Sequence, residues 1–138
     1  MMKKNRPKKI VLHQKSRVVE IEFDEDQKFE LPCEYLRVYS PSAEVRGHGP
    51  GQEVLQYGKE SVGIERIEPQ GFYAVRLCFD DGHNTGIYSW DTLYELGANY
   101  ETLWKDYLSR LEDAGHKRNS SKGDIPVVIR GPESKGVQ

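Results

Sequence analysis

The sequence predicts an α+β domain: a small antiparallel β-sheet made of hairpins, packed by a C-terminal helical pair and broken by one long irregular Gly/Pro loop. Three observations carry this reading. Residues 17–23 alternate apolar and charged side chains with the period of a half-buried strand, Val19, Ile21 and Phe23 facing one way and Glu20 and Glu22 the other. Asp81-Gly82 separates two apolar runs, the signature of a tight hairpin turn. Leu93, Leu96, Tyr100, Leu103, Trp104, Tyr107, Leu108 and Leu111 recur at helical spacing and offer one apolar face for a sheet to bury.

Taken in chain order, residues 1–8 are expected to be a disordered basic tail and residues 9–115 the folded domain. A short apolar run opens at Lys9. Asp24-Glu25-Asp26 turns the residue 17–23 strand back into a partner at Lys28–Leu31. Pro32 suits the first turn of a helix over Cys33–Tyr39, which Pro41 stops. Ser40 to Gly63 carries glycines at 47, 49, 51, 58 and 63 and reads as the long loop. Strands resume near Ile64–Glu68 and at Phe72–Phe79, with Tyr73, Val75, Leu77 and Phe79 on one face. Ser89 is a candidate N-cap for a helix from Trp90 to about Leu96. Gly97 marks a break before a second helix, which Gly115 ends. Residues 116–138 are rich in Lys, Ser, Gly and Pro and read as a second disordered tail, with an apolar island at Pro126-Val127-Val128-Ile129.

Composition narrows the function. The chain has 138 residues, one domain's worth, with 20 basic and 22 acidic side chains and a net charge of -2. A dedicated nucleic-acid binder would be strongly basic, so nucleic acid is not the expected partner. Cys33 and Cys78 lack CxxC spacing and suit a reduced, cytoplasmic setting. No apolar run approaches the ~20 residues of a membrane span.

Two groups could carry chemistry. With Asp81-Gly82 at the two turn positions, Asp80 lies opposite His83, Cys78 opposite Thr85 and Arg76 opposite Ile87. Cys78, Asp80 and His83 then share a face within roughly 5–8 Å and could hold a metal weakly or position a proton-transfer histidine. The structural alternative has Asp80 merely pairing with His83 across the strands. The second group, Arg37, Glu44, Arg46 and His48, gathers near the irregular loop and suits a small-anion or peptide pocket. Gly47-His48-Gly49-Pro50-Gly51 is not a dinucleotide fingerprint, and Gly58-Lys59-Glu60-Ser61 lacks Walker spacing. Ser40 and Ser42 flank a proline and suit capping or turn roles.

The segment Leu31-Pro32-Cys33-Glu34-Tyr35-Leu36-Arg37-Val38-Tyr39-Ser40-Pro41-Ser42, its continuation to Pro50, the Asp81-Gly82-His83 turn and Ile87-Tyr88-Ser89-Trp90 together resemble the N-terminal domain of gamma-butyrobetaine hydroxylase. The resemblance is closer still to stand-alone bacterial proteins built from that domain, a domain of unknown function. It spans about residues 9–114. The same domain also occurs on Mrp-type P-loop ATPases with iron–sulfur clusters. In the hydroxylases it is similar to a mixed α/β unit holding a structural zinc with three cysteines and a histidine. Those positions fall here on Ser40, Ser42, Val45 and His83. Hydroxyls and a valine cannot replace thiolates around zinc, so the resemblance implies a lost zinc site and no expected cofactor. The oxygenase half also leaves no trace: none of His13, His48, His83 and His116 opens the His-x-Asp/Glu pattern of an iron-binding facial triad.

The expected function is therefore a non-catalytic binding or accessory module acting through protein contact. The resemblance implies an iron–sulfur assembly factor or a separate oxygenase as partner. Its expected surface comprises Arg37, Ser40, Ser42, Glu44, Arg46, His48, Asp80, Asp81 and His83. The alternative is a metal- or small-ligand-binding protein using Cys78, Asp80 and His83. A third reading has the basic N-terminus touching RNA.

Overall fold

The computed structural model describes residues 6–24, 27–47 and 51–118. Its α+β class is the one predicted. The strands fall into two three-stranded antiparallel sheets: β1 (Lys9–His13), β2 (Val18–Asp24) and β3 (Gln27–Pro32) in one, β4 (Ile64–Gln70), β5 (Ala74–Phe79) and β6 (Gly86–Ser89) in the other, each in sequence order. Among the described residues four helices complete it: α1 (Cys33–Val38), α2 (Ala43–Arg46), α3 (Trp90–Ala98) and α4 (Tyr100–Asp113). Among the described residues no helix is long and apolar enough to cross a membrane.

The two sheets share one core. Val19, Ile21, Phe23 and Leu31 from the first meet Ile64, Val75, Leu77, Phe79 and Tyr88 from the second, with Tyr35 and Leu36 of α1 and Leu93 and Leu96 of α3 between them. The alternation read in β2 is the reason it serves as a half-buried strand: Val19, Ile21 and Phe23 are buried and the intervening acids are not. β5 is different. Ala74, Val75, Leu77, Cys78 and Phe79 are all buried, so this central strand is covered on both faces. Tyr73 does not join that face: β4 runs on to Gln70, Gly71 turns the chain with φ +57, and Tyr73 is left 66% exposed.

Two buried tyrosines satisfy carbonyls in the last turns of helices: Tyr35 Oη donates to Leu96 O at 2.6 Å and Tyr88 Oη to Leu36 O at 2.5 Å. Half-buried Tyr39 donates from Oη to Leu103 O within α4 at 2.8 Å. Burial raises the phenol pKa of Tyr35 and Tyr88 beyond the ordinary range. Ser89 caps α3 as expected, its Oγ accepting from Thr92 N at 3.1 Å. Gly97 does not break this helix, which continues to Ala98 and turns at Asn99. Leu108, counted into the apolar stripe, is 38% exposed instead.

Gly97 has a packing role. A Cβ there would lie 2.5 Å from Phe29 Cγ, the root of a ring wedged edge-on against Phe23 and Tyr94. Gly97→Ala is expected to cost about 1–2 kcal/mol net. Because the clash is with the root of the ring, the overpacking falls in the upper part of its usual range, about 2–3 kcal/mol, and outweighs the helix-propensity gain of about 1 kcal/mol. A thermal melt checks this, and a variant as stable as the parent would refute it.

The expected irregular loop is interrupted by α2. Ser42 caps this short helix, its Oγ accepting from Glu44 N at 3.1 Å. Four residues are too few for periodicity to register. After α4, Gly115 takes φ +80 and the chain folds back: His116 stacks on Tyr57 at 3.9 Å, and Arg118 reaches Glu34 of α1. His48 and Pro126–Ile129 lie outside the described residues.

Candidate functional site

The turn after β5 organises the site. Arg76 pairs with Ile87 as the register required, but the tip is wider than a two-residue turn. Phe79 N–H donates to His83 O at 3.0 Å, so Asp80, Asp81 and Gly82 form the loop, and Gly82 supplies its left-handed step at φ +90.

This changes what each acid can do. Asp80 is held elsewhere: its N–H donates to Gly63 O at 2.9 Å and its Oδ1 accepts from Gly63 N at 3.0 Å. Cys78 is buried in the strand. The expected face of Cys78, Asp80 and His83 is therefore not assembled, because Asp80 is engaged by the loop before β4 and does not pair with His83. Among the described residues no group of three or more His, Cys, Asp or Glu side chains could hold a metal ion.

Asp81 is the anchor. Its Oδ2 accepts from Arg37 Nε at 2.9 Å and Lys59 Nζ at 2.7 Å, and its Oδ1 from His83 N at 3.2 Å. Burial pushes this carboxyl up, but the bonds from Lys59 and His83 and the Arg37 guanidinium together outweigh it and leave the pKa at about 2. Arg37, 8% exposed in its side chain, also donates from Nη1 to Gln56 Oε1 at 3.0 Å. One ion pair thus ties α1, the turn and residues 56–59 together.

His83 points inward. Its Nε2 lies 2.9 Å from Ser40 Oγ and its Nδ1 2.9 Å from Glu44 Oε1. Burial, then the Arg37 charge, lower its pKa despite the opposing pull of Glu44 and Asp81. The ring is neutral at neutral pH. A carboxylate can only accept, so Nδ1 carries the proton and Nε2 accepts from the Ser40 hydroxyl. Ser40 Oγ in turn accepts from Ser42 N at 3.2 Å, and Ser42 Oγ meets Thr85 Oγ1 at 2.7 Å.

Ser40, His83 and Glu44 have the connectivity of a hydrolase relay. They lack its access. Ser40 is 1% exposed, and a Cβ on Gly86 would sit 2.5 Å from its Oγ and 3.1 Å from the Tyr88 ring, so backbone and phenol close over the hydroxyl. The arrangement locks the turn against α1 and α2. A structural zinc does not fit either: His83 keeps an imidazole at the resemblance's histidine position, but hydrogen-bonded hydroxyls of Ser40 and Ser42 stand where thiolates would be needed, and Val45 has no donor.

The nine predicted surface residues therefore divide. Arg37, Ser40, Ser42 and His83 are buried connectors, and Glu44, Arg46, Asp80 and Asp81 reach solvent. His48 is outside the described residues. Beside them opens a cleft of about 530 Å³; of the group expected to form a small-anion or peptide pocket, Arg46 lines it and Arg37 and Glu44 do not. Ser40 and Val45 contribute to its lining, and Arg46, Glu53, Asp106 and Arg110 supply charge around it. Arg110 is fixed there, donating to Tyr39 Oη at 3.0 Å and to Asp106 Oδ2 at 3.0 Å. Arg110 stands on the helix's partly exposed side, where apolar periodicity is silent.

A family profile described as "Gamma-butyrobetaine hydroxylase-like, N-terminal" matches residues 10–94. Two proteins with NMR solution structures are similar at TM-score 0.73. One is 46% identical, covering 89% of this chain and 98% of that one. The other is 49% identical, covering 92% and 94%. A crystal structure from Acidithiobacillus ferrooxidans ATCC 23270, of a protein with unknown function from the DUF971 family, is 37% identical over 68% of this chain and 94% of that one, at TM-score 0.57. No curated protein matches the chain.

Proposed function

We propose, on the premise that this chain belongs to the gamma-butyrobetaine hydroxylase-like, N-terminal family, that it is a non-catalytic binding module whose partner protein engages the cleft beside the locked turn. One observation carries the reading. The cleft's volume of about 530 Å³ falls in the range of ordinary ligand sites, and its rim mixes cations and anions, Arg110 held in place among them, around apolar Val45, Val54 and Leu103. That combination suits a peptide segment with an apolar anchor and charged flanks.

The polar hub supports a binding role over catalysis. Its hydroxyl and imidazole are spent on each other, and they hold Ser40 and Val45 rigidly against the cleft. Rigid walls lower the ordering cost of binding. By the family resemblance, an iron–sulfur assembly factor or a separate oxygenase is the partner to seek first, in the cytoplasm.

Val54 is 51% exposed and Asn99 is exposed at the cleft, so arginine at both should fill it without disturbing the core. The Val54→Arg/Asn99→Arg variant is expected to lose at least tenfold in affinity for the partner captured by the parent chain, with Tm within about 3 °C. Unchanged affinity at unchanged Tm would reject the cleft.

A further inference from the structure

Glu34 is a carboxylate far from water. It belongs to α1, and only 6% of its side chain is exposed. Its cation comes from 84 residues further on: Arg118 Nε donates to Oε2 at 2.9 Å and Nη2 to Oε1 at 2.5 Å, a two-pronged grip on both oxygens. The same guanidinium lies 5.2 Å from the centroid of the Trp104 ring. Glu60 adds a second negative charge acting on Arg118.

A carboxylate fork, an aromatic face and a neighbouring acid suit a planar delocalised cation. A lysine ammonium would neither span both oxygens in parallel nor stack. The body of the domain builds this notch from α1, the segment before β4 and α4. The cation, however, is delivered by the three residues after Gly115, whose left-handed backbone turns the chain back beyond α4. Arg118 remains 37% exposed in its side chain while its acid is buried. Simple departure of Arg118 would strand a buried charge. Exchange of one guanidinium for another would not, so the notch can change occupant at little cost.

We propose that Glu34, Glu60 and Trp104 form a recognition site for an arginine side chain of a partner protein, filled in cis by Arg118 until the partner's arginine replaces it. The site is separate from the cleft, which neither Glu34 nor Trp104 lines. It therefore stands or falls without the cleft reading.

The test titrates N-acetyl-arginine amide into the full chain and into Arg118→Ala, following the Trp104 indole NMR signal and the Tm. Arg118→Ala should bind the arginine amide at least tenfold tighter than the parent chain, with Tm rising as ligand is added. It should bind the lysine amide at least tenfold more weakly, and Glu34→Gln in the same background should abolish the response. Should Arg118→Ala fail to fold, Arg118→Lys keeps a charge in the notch and must show the same gain for arginine. Equal binding of the two amides, or no gain over the parent chain, overturns the proposal. So does a concentration-dependent dimer in Arg118→Ala mixed with parent chain that releases on adding arginine amide, since the occupant would then be a second copy.

Discussion

Arg37→Met is expected to destabilise the domain by roughly 3 kcal/mol, the low end for breaking a buried ion pair from one side. Arg37 is 8% exposed and bonds both Asp81 at 2.9 Å and Gln56 at 3.0 Å. Methionine keeps much of the apolar stem but leaves a partly buried carboxylate short of a cation. Lys59 still reaches Asp81, which keeps the loss from being larger. For a domain of this size the change corresponds to a Tm drop of about 10–20 °C. A double-mutant cycle with Asp81→Asn isolates the cause, because the second substitution should cost little once Arg37 is gone. Additive losses, or a Tm within 4 °C of the parent, would show that the network does not hold the turn.

His83→Ala should lose about 2–3 kcal/mol at pH 8, from an unpaired buried Ser40 hydroxyl and the void left by the ring. Its pH signature is more specific. The folded state holds the imidazole pKa below the ordinary value of 6.5, chiefly through burial. The unfolded chain therefore binds the proton more readily. The stability tied to neutral His83 is complete above about pH 6.5 and is lost as pH falls toward the folded value, at no more than about 1.4 kcal/mol per pH unit. The gap in stability between parent and His83→Ala should consequently narrow between pH 7 and pH 5. Charges facing the ring are Arg37, Glu44 and Asp81, and none is removed by the substitution. Parallel stability curves over that interval would mean that His83 does not titrate as a buried base.

Legibility in the sequence followed the range of the interaction. β2 was readable because Val19, Ile21 and Phe23 repeat at the strand period, and the start of α3 because Ser89 sits three residues before the N–H it caps. The turn at Asp81-Gly82 was located, yet its width was not. Gly63 claims Asp80 from seventeen residues away, and nothing local announces that. α2 is too short to show a period, and the apolar alternation of β5 extends in the sequence to Tyr73, one residue before the strand begins. The meeting of Ser40 with His83 followed from the family resemblance, because composition alone carries no sign of a contact across 43 residues. The Arg37–Asp81 and Glu34–Arg118 pairs were illegible for the same reason: each partner alone reads as an ordinary surface charge.

The shared core of the two sheets has a consequence for how the chain can come apart. Leu36 and Tyr35 sit among residues contributed by both halves, and Tyr88 from the far half closes on the Leu36 carbonyl. Neither half can bury its own inner surface. A polypeptide severed between Gly58 and Ser61 would give two fragments that are unstructured in isolation and regain the native fold only when mixed.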